Sequence, residues 1–157
     1  MKINQYCTML NEQRTEYVAS KGYVNCPQRK SVAGSSLVAD FLNNEFQADC
    51  LPEEHVWLLC LNTKLRVNGV FEISIGTADA SLSSVREIYK RALMVGAINI
   101  IIAHNHPSGD TTPSETDVKV TKKLVEAGKI LELPLIDHVI IGKGDFSFRE
   151  NMIELFK

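Results

Sequence analysis

The sequence predicts a single α/β domain built on a mixed β-sheet flanked by helices. Three observations predict it. The chain has 157 residues, 45% hydrophobic and 23% charged; that suits one globular domain and leaves no room for a (β/α)₈ barrel, which needs roughly 200 residues or more. Two apolar stretches, residues 55–61 and 65–75, flank a short polar segment, the pattern of a hairpin. Helical and strand patterns then alternate to residue 141, the signature of helices packed on a sheet.

Residues 1–31 are mixed and weakly patterned, with Gly22 and Pro27 as breakers, and read as an irregular N-terminal extension. Leu37, Val38, Phe41 and Leu42 recur at helical spacing and predict a helix over 32–46, with Ser31 as N-cap and a break at Asp49 to Pro52. HVWLLCL, His55 to Leu61, reads as a buried strand. Asn62-Thr63-Lys64 is the turn, and Leu65 to Ile75 is the returning strand, with Gly69 marking a bulge. Ser84-Val85-Arg86-Glu87 forms a capping box. Val85, Ile88, Tyr89, Ala92 and Leu93 then give one apolar stripe, closed by Gly96. Ala97 to His104 is a buried strand and Pro107 to Pro113 a polar loop. Ser114 caps a second helix with Asp117 in its first turn and Gly128 near its end. Leu133 to Ile141 is the last strand, stopped by Gly142 and Gly144. The sequence contains neither an internal repeat nor a low-complexity segment.

Composition narrows the function. The net charge of -2 lacks the basic excess of a protein whose affinity comes from phosphate contacts. Lys119, Lys122, Lys123 and Lys129 read as a solvated helix face. The longest apolar run, Ala97 to Ala103, is far short of a membrane span. MKINQYCTML lacks the apolar region of a signal peptide, so a reducing cytoplasm is expected. Cys7, Cys26, Cys50 and Cys60 form no C-x-x-C pair and sit beside no His in a catalytic signature; Cys60 reads as core, as does Trp57.

The chemistry concentrates in HNHPSGDTTPSETD, residues 104–117. His104 and His106 are two apart at the end of a strand, so both side chains point the same way. Asp117 lies in the first turn of the next helix, within reach of a loop that folds back. Two His nitrogens and one carboxylate oxygen are three protein ligands, leaving a fourth zinc position open, the pattern of a catalytic site. The same three ligands also make a facial triad for non-haem iron. An H-x-H pair alone is weak evidence, and Ser-x-x-Asp alone is a helix-start signature; the weight comes from their combination after an apolar strand. His55 reads as a partly exposed structural residue, and His138 as a supporting residue behind the ligands.

His104-x-His106, seven residues, then Ser114-x-x-Asp117 resembles the JAMM motif of the JAB/MPN metalloprotease superfamily. HNHPSGDTTPSETD, the later LIDHVIIG and the earlier GTADASLSSVREIYKRAL together resemble the RadC family of bacterial proteins, over roughly residues 32–150. The resemblance implies a RadC-like JAB/MPN domain at 32–157, standing without the helix-hairpin-helix region of full-length RadC proteins. It also implies a zinc-bound water attacking a carbonyl, with His104, His106 and Asp117 as ligands and Ser114 helping to stabilise the oxyanion. An upstream Glu would be the general acid/base. The family pattern places it directly before the first strand, which selects Glu54; Glu53 and Glu72 are the other candidates. The reading that follows is a zinc-dependent hydrolase of a peptide, isopeptide or related amide bond, with a peptide or protein substrate. Its rival is a DNA-repair-associated binding module or nuclease. Without the helix-hairpin-helix unit, and at this net charge, tight specific DNA binding by this chain is not expected.

Overall fold

The computed structural model describes residues 1–26, 34–76 and 84–157. β1 (Lys2–Leu10) and β2 (Glu16–Asn25) form an antiparallel hairpin. α1 (Ser35–Phe46) and a 3₁₀ turn over Ala48–Cys50 lead into β3 (Glu54–Leu61) and β4 (Val67–Gly76). α2 (Val85–Met94), β5 (Asn99–Asn105), α3 (Glu115–Ile130) and β6 (Leu135–Ile141) follow. β7 (Asp145–Ser147), the short α4 (Phe148–Asn151) and a second 3₁₀ turn complete the described chain. The seven strands make one mixed sheet in the order β2-β1-β4-β3-β5-β6-β7. The β1–β4 and β5–β6 neighbours are parallel, and the others antiparallel. This is the mixed α/β architecture the sequence predicts.

The centre of the sheet, β3, β5 and β6, is buried on both faces, which is why these strands read as continuous apolar runs. Trp57, Leu59, Leu61, Ile101, Ala103, Val139 and Ile141 share one face with Val38, Ala39, Phe41 and Leu42 of α1. Val56, Leu58, Cys60, Ile100 and Ile102 share the other with Ile88, Tyr89 and Ala92 of α2 and Leu124 and Val125 of α3. Burial pushes the Cys60 thiol up to about 12, as befits a core residue. Trp57 is likewise core. Lys119, Lys122, Lys123 and Lys129 are exposed along α3. No helix among the described residues is long and apolar enough to cross a membrane.

Residues 2–25 correct the expectation of an irregular extension: they are two paired strands, and β1 adds to the sheet beside β4. Few of their side chains are fully buried, Ile3 and Val24 among them, so the hairpin carries no strong alternation. It is held instead by backbone pairing and by ion pairs. Lys90 Nζ of α2 lies 2.7 Å from Glu16 and 2.8 Å from Glu87, and Arg91 reaches Glu87 at 2.9 Å. Gly69 is required by close approach: a Cβ there would enter the Tyr6 ring of the neighbouring strand. The bulge falls beside it, where the pairing steps from Cys60–Gly69 to Leu61–Val67.

Helix boundaries follow the caps. The Ser31 cap and the first residues of the expected 32–46 helix lie outside the described residues; α1 begins after Gly34. Ser84 Oγ accepts from the Glu87 N–H at 3.3 Å. The Glu87 carboxylate binds Lys90 and Arg91, so only the serine half of the expected box is made. Gly96, at φ 63, ends that helical segment in a left-handed conformation. Leu93, placed on the apolar stripe by spacing, is 53% exposed because it lies at the edge of the buried arc. At α3 the capping box is complete, and Asp117 is its acidic member.

Candidate metal centre

The end of β5 and the start of α3 build the site. β3 pairs with β5 so that Val56 faces His104. One step further in the same register, Glu54 comes opposite His106, on the face of the sheet that α3 covers. His104 is fully buried and His106 half-buried. The polar loop folds back as expected and seats Asp117, 3% exposed, against both rings.

Two ring nitrogens and the two oxygens of one carboxylate converge. His104 Nε2 lies 3.1 Å from His106 Nε2. Asp117 Oδ1 lies 3.4 Å from His104 Nε2, and Asp117 Oδ2 lies 3.7 Å from His106 Nε2. With zinc–ligand bonds of about 2.0–2.1 Å, two ligands of a tetrahedral ion stand about 3.3–3.4 Å apart. The observed spacings bracket that edge. Each ring has its other nitrogen engaged elsewhere: His106 Nδ1 donates to the Asp110 carbonyl at 2.6 Å, and His104 Nδ1 meets His138 Nε2 at 2.8 Å. Both Nε2 atoms therefore face the centre. The donor set fits a divalent metal, and His104, His106 and Asp117 form a group that could hold one.

Electrostatics match this chemistry. Burial opposes ionisation of Asp117, but His106, His104 and the hydroxyl and N–H of Ser114 outweigh it and hold the carboxyl well below its ordinary range. Burial pushes the His104 imidazole down to about 4, Asp117 resisting. Asp117 raises the more open His106 above its ordinary value against burial, helped by the Asp110 carbonyl and Glu54. Glu54 itself is raised by burial and by the Asp117 charge, with His106 pulling the other way.

The remaining candidates separate by face. The Glu72 carboxylate accepts from His55 Nδ1 at 2.7 Å, and the His55 ring stacks on Trp57. That pair lies on the α1 face, across the sheet from His104. His55, expected partly exposed, is buried there. Glu53 is exposed, and its carbonyl is taken by Asn105. Ser114 Oγ donates to Asp117 Oδ2 at 2.7 Å and accepts from the Asp117 N–H at 3.1 Å. Its hydroxyl proton is thus given to the carboxylate.

Asn105 is a partner the sequence reading does not single out, and His138 takes the supporting place expected of it. Asn105 Oδ1 accepts from the His55 N–H at 2.7 Å, and Asn105 Nδ2 donates to the Glu53 carbonyl at 3.0 Å. One side-chain amide therefore grips the peptide groups on both sides of Glu54. The signal available was a polar residue inside a buried strand end. His138 stands behind His104, and Thr121 Oγ1 lies 2.7 Å from His138 Nδ1.

A family model described as "RadC-like JAB domain" matches residues 32–153. A UPF0758 protein of Chlorobium phaeovibrioides is 50% identical over 100 residues, 63% of this chain and 45% of that protein. One from Roseiflexus castenholzii is 40% identical over 108 residues, 68% of this chain and 46% of its own length. One from Thermotoga maritima is 46% identical over 101 residues, 64% of this chain and 46% of its own. The matches to these relatives span about half of their length.

Proposed function

This chain belongs to the RadC-like JAB domain family, and on that basis we propose that it is a zinc-dependent hydrolase cleaving a peptide, isopeptide or related amide bond. The observation that carries the reading is the convergence of His104 Nε2, His106 Nε2 and the Asp117 carboxylate at tetrahedral-edge spacing. Bound at these three residues, zinc would supply Lewis acidity toward water and toward a carbonyl oxygen.

The chain's own residues do the rest. Asp117 stays ionised because His106 and His104 face it and Ser114 donates two hydrogen bonds to it, from Oγ and from the main-chain N–H, both at 2.7 Å. Glu54 is the general acid/base: it shares the face of His106, and its raised carboxyl pKa suits a group that takes a proton from water and returns it to a leaving amine. Asn105 holds the backbone under Glu54. Ser114 serves the reacting oxygen only after its hydroxyl leaves Asp117. A peptide or protein is the substrate class in this reading, and the chain alone does not bind duplex DNA tightly.

The test is a peptide and isopeptide library incubated with zinc-loaded protein and read by mass spectrometry. Cleavage should depend on zinc. Glu54→Gln should keep the fold and zinc while losing roughly 10²–10⁴-fold in rate. Zinc-dependent cleavage that survives Glu54→Gln unchanged would move the role to another group. No zinc-dependent cleavage of any amide would count against the hydrolase reading.

A further inference from the structure

We propose that Thr121 and His138 are positioning residues for the metal centre: they lock His104 in the tautomer that bares its Nε2, and they tie that ring to the helical turn carrying Asp117. The positioning role rests on the metal-binding reading above; the hydrogen-bond chain beneath it does not.

The assignment follows from counting protons. Thr121 has one hydroxyl hydrogen. Its Oγ1 lies 2.6 Å from the Asp117 carbonyl oxygen, which only accepts, so the hydrogen lies between them. Oγ1 must then accept from His138 Nδ1, 2.7 Å away. His138 Nδ1 therefore carries a hydrogen. The His138 ring is fully buried, and its two nitrogens meet only the Thr121 hydroxyl and the His104 ring, a setting without a carboxylate partner that disfavours a charged ring. A neutral ring protonated at Nδ1 has a lone pair at Nε2, and that lone pair accepts from His104 Nδ1 at 2.8 Å. His104 then carries its hydrogen at Nδ1, and Nε2 is the nitrogen it turns toward His106 and Asp117.

The chain links two candidate ligands through three elements. It begins at the main-chain carbonyl of Asp117 in α3, crosses His138 in β6 and ends on the side chain of His104 in β5. Thr121, His138 and His104 are all fully buried, so bulk water is kept from replacing a lost member. A register shift in β6 makes the geometry possible. Ile100 pairs with Leu135 and Ile101 with Asp137, which leaves Ile136 as an extra residue. Leu135 packs against the α2 and α3 side of the sheet, and His138 reaches His104 on that same side. Hydrogen bonds of this kind behind a metal-binding His fix its orientation and tautomer, and losing one costs 10–100-fold in metal affinity.

Two measurements test it on the full chain. Long-range ¹H–¹⁵N NMR of histidine-labelled, metal-free protein reads tautomers directly. His104 and His138 should both be protonated at Nδ1 and bare at Nε2. Zinc affinity is then measured by competition with a chromogenic chelator. Thr121→Val, which removes the hydroxyl at nearly constant volume, should weaken zinc binding by about 10–100-fold. Thr121→Ser, which keeps the hydroxyl, should return it close to the unmodified value. A His104 protonated at Nε2, or an unchanged zinc affinity in folded Thr121→Val, overturns the proposal. If Thr121→Val does not fold, the tautomers in the unmodified protein still decide. An unmodified chain that binds no zinc contradicts the metal reading and the positioning role with it; the tautomers then report on the hydrogen-bond chain alone.

Discussion

Replacing Asn105 with alanine removes both hydrogen bonds that hold the backbone around Glu54. The His55 N–H donates to Asn105 Oδ1 at 2.7 Å in a buried setting. Leaving such a donor unpaired costs about 1–3 kcal/mol. The Glu53 carbonyl, bonded at 3.0 Å in a partly buried setting, can turn to water, so its loss adds about 0.5–1 kcal/mol. Asn105 itself is 1% exposed, and its truncation leaves a small void. The sum predicts a destabilisation of about 2–4 kcal/mol, read as a shift of the urea unfolding midpoint at constant slope. Hydrogen exchange localises it: the His55 amide should lose protection while amides in the middle of α3 keep theirs. Asn105→Asp is the control, because it keeps an acceptor for the His55 N–H but turns a second oxygen on the Glu53 carbonyl. It should protect the His55 amide and still destabilise. A loss below about 0.5 kcal/mol with His55 exchange unchanged would refute the reasoning, since that is the range of surface substitutions.

Three further outcomes are expected. Ser114→Ala should cost about 1 kcal/mol through the lost cap, measured by denaturation, and should weaken zinc binding by freeing the Asp117 carboxylate; equal stability and equal affinity would contradict both roles. Gly69→Ala should destabilise by about 1–3 kcal/mol, because the new Cβ collides with the Tyr6 ring, and Gly69→Ala combined with Tyr6→Ala should recover part of that loss. The hairpin contact should weaken in acid. Lys90 lowers the carboxyl pKa of both Glu16 and Glu87, so their contribution is full above the ordinary value of 4.5 and is lost as pH falls through the lowered folded values. Exchange protection of β1 and β2 amides should fall in that window, and Lys90→Met should reduce the pH dependence, Arg91 still holding Glu87; a pH-independent hairpin in the unmodified chain would contradict the sign.

What could be read in the sequence was what is local in it. His104, His106, Ser114 and Asp117 lie within fourteen residues on a strand end, a loop and a first helical turn. Strand alternation and a capping rule therefore bring them together without knowledge of the fold. Glu54 came from the family resemblance, which places a Glu directly before the first strand. The job of Asn105 was not reachable in this way, and His138, read as a supporting residue, did not show its partners. Asn105 grips residues some fifty positions away across a strand pairing, and His138 reaches its face through a register shift that no local pattern encodes. Glu72 and Glu54 look alike in sequence, and only the pairing of β3 with β4 and β5 puts them on opposite faces. The N-terminal hairpin escaped for a different reason. Its strands are largely half-exposed, so polar and apolar residues mix on both faces. β7 is three residues long, below the length at which alternation carries information.

The central claim is that His104 at the end of β5, His106 just after it and Asp117 in α3 bind a catalytic zinc. The most direct measurement is elemental analysis of protein purified without added metal and then equilibrated with zinc, coupled to anomalous diffraction at the zinc edge. About one zinc per chain should bind, its peak between His104 Nε2, His106 Nε2 and the Asp117 carboxylate, with His104→Ala and His106→Ala together abolishing it. Stoichiometric zinc retained by that double variant, iron in place of zinc throughout, or no zinc at all in the folded chain would contradict the account.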